Sequence, residues 1–395
     1  MFASRSMPPW RSIVAVLFAL VCLASAVPGY ALPRSAPADS HRVGRGSSAE
    51  RAPAPRAHMT TATCPVTGSG WTSIAGVHAR VWYQASQPGD GALAAQFSAQ
   101  IDHHIWRTFL GVMGREPLPV TGAHCHHVDD GKLDVYLAAP TVAPALAGGR
   151  SAAVTISYPG VSTCSAYPAF VVIDRSRASA TFGTLAHEVF HAFQAAFPKQ
   201  SGCETLWLDE SSAEWSEYLV YPHFPNPART RTKFLTSEFL TPLNRYRSLL
   251  QDASPFQYET WVWELFVQKT FGAGSIGAIY AHLAHAASLK AINSVVNFQA
   301  NWPRFAIKAW SQTPVTGSFR AWGVSAKPHL PFDKVSLHGL GHSTQPLDWP
   351  TLDYLTRDYD PIAVVDPKIR QLTFNNWFAG IDHVGVRALV EFPHG

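Results

Sequence analysis

Two histidines four residues apart, His187 and His191, sit in a stretch whose apolar positions Phe182, Ala186, Val189, Phe193 and Ala196 form one stripe at helical spacing. The pattern predicts a helix from Ser179 to Phe197, stopped by Pro198, which has no N–H to extend it. On such a helix, positions i and i+4 share a face, so both imidazoles reach one point. Glu188 is turned by about 100° from His187 and stands beside that point rather than on it. A chain organised around this stretch must bury one side of the helix and turn the other towards a cleft.

Two convergent imidazoles suit a cation, and a catalytic zinc takes three protein ligands while keeping one position open. Eighteen residues separate His191 from Glu210, which lies in Trp207-Leu208-Asp209-Glu210-Ser211-Ser212-Ala213-Glu214-Trp215. A second helix is expected here, from about Glu210 to Leu219, with Asp209 as its N-cap. Glu210, Glu214 and Glu217 recur at i, i+4 and i+7, a spacing at which each like-charged pair costs about 0.2–0.5 kcal/mol. A cation with its imidazole ligands reverses that sign. Glu210 is therefore expected as the third ligand and Glu214 as acceptor for the free ring N–H of a ligand histidine. Glu217 is expected to be solvated. Glu188 is the expected base, taking a proton from a metal-bound water.

The start of the chain reads differently. Arg5 and Arg11 precede an apolar run from Ile13 to Ala26, and small residues follow as far as Ala31, the layout of a secretory signal peptide over 1–31. Residues 32–62 are rich in Pro, Ala, Ser and Arg and read as a flexible linker or pro-segment. The net charge of +4 arises there: seven Arg against Asp39 and Glu50 give +5 over residues 1–60, leaving −1 for the remainder. No basic face is left to hold a nucleic acid. No later apolar run is long enough to span a bilayer, so no stable membrane association is expected after signal removal. Removing the leader also removes Cys22, leaving Cys64, Cys125, Cys164 and Cys203. Export makes two disulfides the expectation. Of three connectivities, the sequential pairing Cys64–Cys125 and Cys164–Cys203 is favoured.

Between 63 and 325 the periodicities alternate. A helix is expected over Ala92–Gly111, with Leu93, Phe97, Ile101, Ile105 and Phe109 every fourth residue and His103 and His104 as surface or filler rather than ligands. Strands are expected at Trp71–Ala85, Leu133–Ala138, Ala153–Tyr158 and Ala169–Asp174, and further helices near Gln257–Phe271 and Ile276–Ala287. Beyond 325, Pro and Gly become frequent, and short strands at Ile362–Val365, Gln371–Phe374 and Val386–Phe392 suggest a small β-rich module over 326–395. The fold class expected is α+β: a mixed sheet backed by the metal helix, a helical second lobe carrying Glu210, and the β-rich module.

His-Glu-x-x-His followed after eighteen residues by Trp-Leu-x-Glu-x-x-Ala-x-Trp resembles the gluzincin metallopeptidases, the clan of thermolysin and the zinc aminopeptidases. Closer in texture are secreted bacterial metalloprotease-like proteins, similar in Asp134-Val135-Tyr136-Leu137 and in the metal helix extended to Gln194. The resemblance spans roughly residues 90–290. It implies one zinc held by His187, His191 and Glu210, Glu188 as catalytic base, Glu214 behind a ligand histidine, and a peptide or protein substrate. It also implies a side chain that stabilises the oxyanion, for which Tyr258 is the candidate and His282 and His285 the alternatives. In the resembling fold an edge strand beside the zinc pairs with an extended peptide. Ala169–Asp174 raises that expectation, while one sequence leaves open which strand is the edge. Ser211 stands where many gluzincins have Gly, and no Gly-Ala-Met-Glu-Asn-like segment lies upstream, which favours an endopeptidase over an aminopeptidase. A zinc hydrolase of another substrate class, or a secreted binding protein without turnover, remains as an alternative.

Overall fold

A computed structural model describes residues 13–21, 66–120, 126, 128–146, 152–157, 164–177, 182–200, 205–222, 258, 260–309, 318–322, 335–337, 357–364 and 384–391. Strand β1 is Ile13–Val21, β2 Trp71–Ala75, β3 Ala79–Gln84, β4 Leu133–Ala138, β5 Ala153–Ser157 and β6 Ala169–Asp174. The last five form one sheet in the order β2-β3-β4-β6-β5. Its centre, β3-β4-β6, is parallel, and antiparallel β2 and β5 close the two edges. Every residue of β4 and β6 is buried, which matches their mainly apolar runs, interrupted only by Asp134 and Asp174, because a central parallel strand is covered on both faces. This is a mixed sheet with helices, an α+β fold as the sequence led us to expect. The strand before the metal helix, β6, is interior; its outer neighbour β5 is one of the two edges among the described residues.

Helices cover one face of the sheet. Helix α1 (Asp90–Gln100) runs through a π-helical segment, Ile101–Ile105, into α2 (Trp106–Met113). The interruption follows from the sequence. Apolar residues placed every fourth position drift by about 40° per step around an α-helix of 3.6 residues per turn. A wider π turn brings Ile101, Ile105 and Phe109 back to the core, where all three are fully buried. Asp102, within the wide turn, accepts the backbone N–H groups of Val77 and His78 at 2.7 and 2.9 Å and so ties the β2–β3 turn to the helix. His103 and His104 are exposed.

Helix α3 (Phe182–Ala195) packs on the same sheet face, with Phe190 and Phe193 edge-on to Phe109. Helix α4 (Leu206–Val220) lies against α3, and α5 (Trp261–Phe271) against α4. Then follow α6 (Gly274–His282), α7 (Ser288–Val296), α8 (Phe298–Ala309) and the short α9 (Ser318–Ala321). Trp263, Phe298, Trp302 and Phe305 fill the centre of this helical lobe with tilted, edge-to-face and stacked rings. Gly277 lets α6 close on α2, since an added Cβ would overlap the Val112 carbonyl oxygen. The other sheet face carries a second cluster around Trp82, Tyr136, Phe170 and Val172, and Asp134, buried there, accepts the Trp82 indole N–H at 2.8 Å.

A separate four-stranded sheet joins β7 (Val335–Leu337), β8 (Arg357–Val364) and β9 (Val384–Glu391) to β1, in the order β7-β8-β1-β9. The run read as the centre of a leader is therefore an inner strand of a sheet whose other strands come from 326–395. The expected strand Gln371–Phe374 and the segment 32–62 lie outside the described residues. Cys164 is disulfide-bonded; the other four cysteines, Cys22, Cys64, Cys125 and Cys203, lie outside the described residues, so the expected pairing falls outside them too. Among the described residues no helix is long and apolar enough to cross a membrane.

Candidate metal centre

The α3 helix presents His187, Glu188 and His191 on the side facing α4 and β5. Helix α4 begins earlier than its carboxylates suggest, at Leu206, with Thr205 as its N-cap residue. Asp209 is thus inside the first turn and not a cap. Its carboxylate instead binds Lys199 Nζ at 2.6 Å, the Thr205 hydroxyl at 2.8 Å and the Tyr280 hydroxyl at 3.0 Å, which pins the start of the helix. Trp207 and Trp215, both fully buried, anchor α4, donating to Ser288 Oγ at 3.1 Å and to Gln268 Oε1 at 2.9 Å. With small residues Ser211, Ser212 and Ala213 between them, α4 lies close to α3 and its glutamate row turns inward. Glu210 is only 3% exposed.

Three donor atoms converge. His187 Nε2 and His191 Nε2 are 3.1 Å apart, and Glu210 Oε2 lies 3.4 Å from the first and 3.5 Å from the second. Ligands about 2.0–2.1 Å from a tetrahedral zinc stand about 3.3 Å from one another. The observed triangle fits that ion with no rearrangement.

The far side of each ring fixes which nitrogen faces the triangle. His191 Nδ1 is 2.6 Å from Gln194 Oε1, and Gln194 Nε2 donates to the Asp209 carbonyl and to Ser212 Oγ, both at 2.9 Å. Because the Gln194 amide nitrogen is committed to those acceptors, its oxygen faces His191, so the proton sits on Nδ1 and Nε2 offers its lone pair. His187 Nδ1 lies 3.3 Å from Glu217 Oε1 and 3.9 Å from Glu214 Oε2. Glu214 is near, as expected, but Glu217 is nearer. It is not solvated: helix α3 has Gly183 at the point of contact, where a Cβ would come 2.7 Å from Glu217 Oε2.

Burial alone would lower the proton affinity of His187, but the Glu210 and Glu217 carboxylates, helped by Glu188, outweigh it and push the pKa up to about 10. The pocket's field is strongly cation-seeking. The same His187 with Glu214 and Glu217 places a second set of donor atoms within 4.8 Å of one another.

Glu188 is 1% exposed, and Thr155 Oγ1 on β5 lies 2.8 Å from both its carbonyl oxygen and its Oε2. Tyr258 is half-buried with its ring 6.1 Å from that of His187. His282 and His285 are exposed and belong to neither donor cluster. Sequence reasoning placed His187, Glu188, His191 and Glu210 together and brought Tyr258 alongside. It missed the parts of Glu217, Gln194 and Thr155. A signal existed for Gln194, three residues beyond a ligand on the same helix face, and for Glu217, seven beyond Glu210; Thr155 is joined to the site only by tertiary pairing.

No protein-family model matches the chain, and no curated protein matches it in sequence. Solved structures do match in part. A yeast LTA4 hydrolase in complex with bestatin aligns at 10% identity and TM-score 0.34, over 64% of this chain and 39% of that one. A two-domain M1 zinc metallopeptidase variant bound to L-arginine aligns at 15% identity and TM-score 0.35, over 66% and 53%. An M1 zinc metallopeptidase variant from Deinococcus radiodurans aligns at 15% identity and TM-score 0.33, over 61% and 51%. The chain spans about half or less of the length of these proteins.

Proposed function

We propose that this chain is a secreted zinc-dependent peptidase that hydrolyses peptide bonds within polypeptides. The observation that carries the reading is the triangle of His187 Nε2, His191 Nε2 and Glu210 Oε2, with sides of 3.1, 3.4 and 3.5 Å. Bound there, zinc would supply Lewis acidity towards a carbonyl oxygen and acidify a water. The chain's own residues do the rest. Glu188, not among the triangle's atoms and one residue along from His187, takes the proton of the attacking water and hands it to the departing amine nitrogen. Gln194 and Glu217 hold the two imidazoles in the tautomers that leave Nε2 free. Tyr258 is the hydroxyl that donates to the carbonyl oxygen as charge builds on it.

Among the described residues β5 is an edge strand, and it lies beside Glu188; such an edge suits pairing with an extended chain, and this supports a peptide as substrate. Residues 1–31 as an export leader, and pairing of Cys164 with Cys203 and of Cys64 with Cys125, complete the reading. The test is a pair of measurements on purified protein. Zinc content should be about one per chain in both wild type and Glu188→Gln, while turnover of casein or a quenched-peptide library should fall by about 10²–10⁴-fold in the variant. Retained turnover in Glu188→Gln sinks the assignment of the base; zinc without any peptide turnover in wild type points to another scissile bond or to a binding protein.

A further inference from the structure

Helical-face positions of β5 alternate with positions facing the second cluster, so Ala153 and Thr155 point towards α3 while Val154 and Ile156 point away. Thr155 is a polar residue on a face otherwise lined by Val135, Leu137, Ala169, Val171 and Ile173. A hydroxyl in such surroundings needs a partner. It has two, both on Glu188: the backbone carbonyl oxygen and the carboxylate Oε2, each 2.8 Å away. Strand register makes this meeting possible, since Thr155 lies opposite Val171 in the β5–β6 ladder and β5 packs against the middle of α3.

We propose that Thr155 is a positioning residue for the proposed hydrolysis: its hydroxyl fixes the rotamer of the Glu188 carboxylate by donating to Oε2 and so aims that carboxylate at the attacking water. One hydrogen serves two acceptors. When Glu188 is ionised the hydrogen goes to Oε2. When Glu188 carries the transferred proton the hydroxyl turns to the backbone carbonyl. The side chain thus has a hydrogen bond in both halves of the cycle, and no proton is gained or lost by Thr155 itself. The inference rests on the peptidase reading and adds to it a residue from the substrate-side strand.

The experiment compares Thr155→Val, which keeps the shape and removes the donor, with Thr155→Ser, which restores it. Thr155→Ala is added in case the valine protein misfolds. Zinc content by mass spectrometry, kcat and KM on a quenched-peptide library, and crystal structures of the zinc-loaded proteins are compared with wild type. The expected result is full zinc in all of them and a kcat lowered by about 10–100-fold in the valine and alanine variants, at a KM within about twofold. The serine variant should recover to within about threefold, and the Glu188 side chain should leave its wild-type rotamer only where the hydroxyl is absent. An unchanged kcat in the valine variant overturns the proposal, as does a serine variant that falls equally far. Should wild type turn over no peptide, the peptidase reading fails by itself, and the Glu188 rotamer in the valine structure still decides whether Thr155 positions it.

Discussion

Glu217 Oε1 stands 3.3 Å from His187 Nδ1, closer than Glu214 Oε2 at 3.9 Å. Helix geometry explains the order: seven residues return within about 20° of the starting meridian, whereas four overshoot by about 40°. Glu217 therefore lies almost directly along α4 from Glu210, and the two carboxylates take opposite nitrogens of the same imidazole. We expect Glu217→Ala to weaken zinc binding by about 10–100-fold and Glu214→Ala by less. Gly183→Ala, which intrudes on Glu217 Oε2 at 2.7 Å, should act in the same direction as Glu217→Ala. Competition with a chelator measures all three, and a larger loss in Glu214→Ala than in Glu217→Ala would reverse the assignment.

Gln194 links the second histidine to the helix of the third ligand. Its oxygen serves His191 and its nitrogen serves Asp209 and Ser212 on α4. Gln194→Leu abolishes both halves and strands buried acceptors, so stability should fall by about 1–3 kcal/mol together with zinc affinity. Gln194→Glu keeps an acceptor for His191 Nδ1 but has no N–H for the Asp209 carbonyl. It should retain more zinc affinity than the leucine variant while losing comparable stability in urea. Equal zinc affinity in wild type and both variants would remove Gln194 from the site.

Much of the centre was legible because local spacing does the work there. His187 and His191 share a face by helical arithmetic, and the apolar stripe through Val189 and Phe193 tells which way that face looks. Glu210 was readable because three acidic residues in a row need a reason. The π turn at Ile101–Ile105 was latent in the strict four-residue spacing, yet expecting one continuous helix over Ala92–Gly111 hid it. Thr155 was illegible. Nothing within the run Ala153–Ser157 announces that β5 is an edge or that it crosses α3, since both facts depend on β6 pairing with β4 as well as with β5. Asp209 misled in another way: a residue with N-cap chemistry was drawn off by Lys199 and Tyr280, and the helix began four residues before Glu210.

The segment Ile13–Val21 pairs antiparallel with both β8 and β9. An export leader cut near Ala31 would take the inner strand of that sheet with it, leaving β8 and β9 each without the neighbour that separates them. We expect the exported protein to begin at about residue 27–32 and its region 326–395 to be clipped by trace protease faster than in the uncut precursor. N-terminal sequencing and limited proteolysis of both forms check this. An exported protein that still carries Ile13–Val21 would mean the strand pairing, not the leader, describes the mature molecule.

Glu264 on α5 is fully buried, and burial raises its pKa from 4.5 to about 8 although Ser211 Oγ donates to its Oε1 at 2.8 Å and partly opposes the shift. The sign of the linkage follows. Below the unfolded value of 4.5 the group is neutral in both states and its folded-state preference is fully present. Between there and about pH 8 the unfolded chain has released a proton that the folded chain retains, so stability falls as pH rises. Each unit of separation is worth about 1.4 kcal/mol. Glu264→Gln keeps an acceptor for Ser211 and cannot ionise. It should match wild type near pH 5, unfold at a higher urea concentration at pH 8, and flatten the descent between them. Urea midpoints at fixed zinc saturation from pH 5 to 8 give the answer, and parallel profiles for the two proteins would show that Glu264 is already charged in the fold.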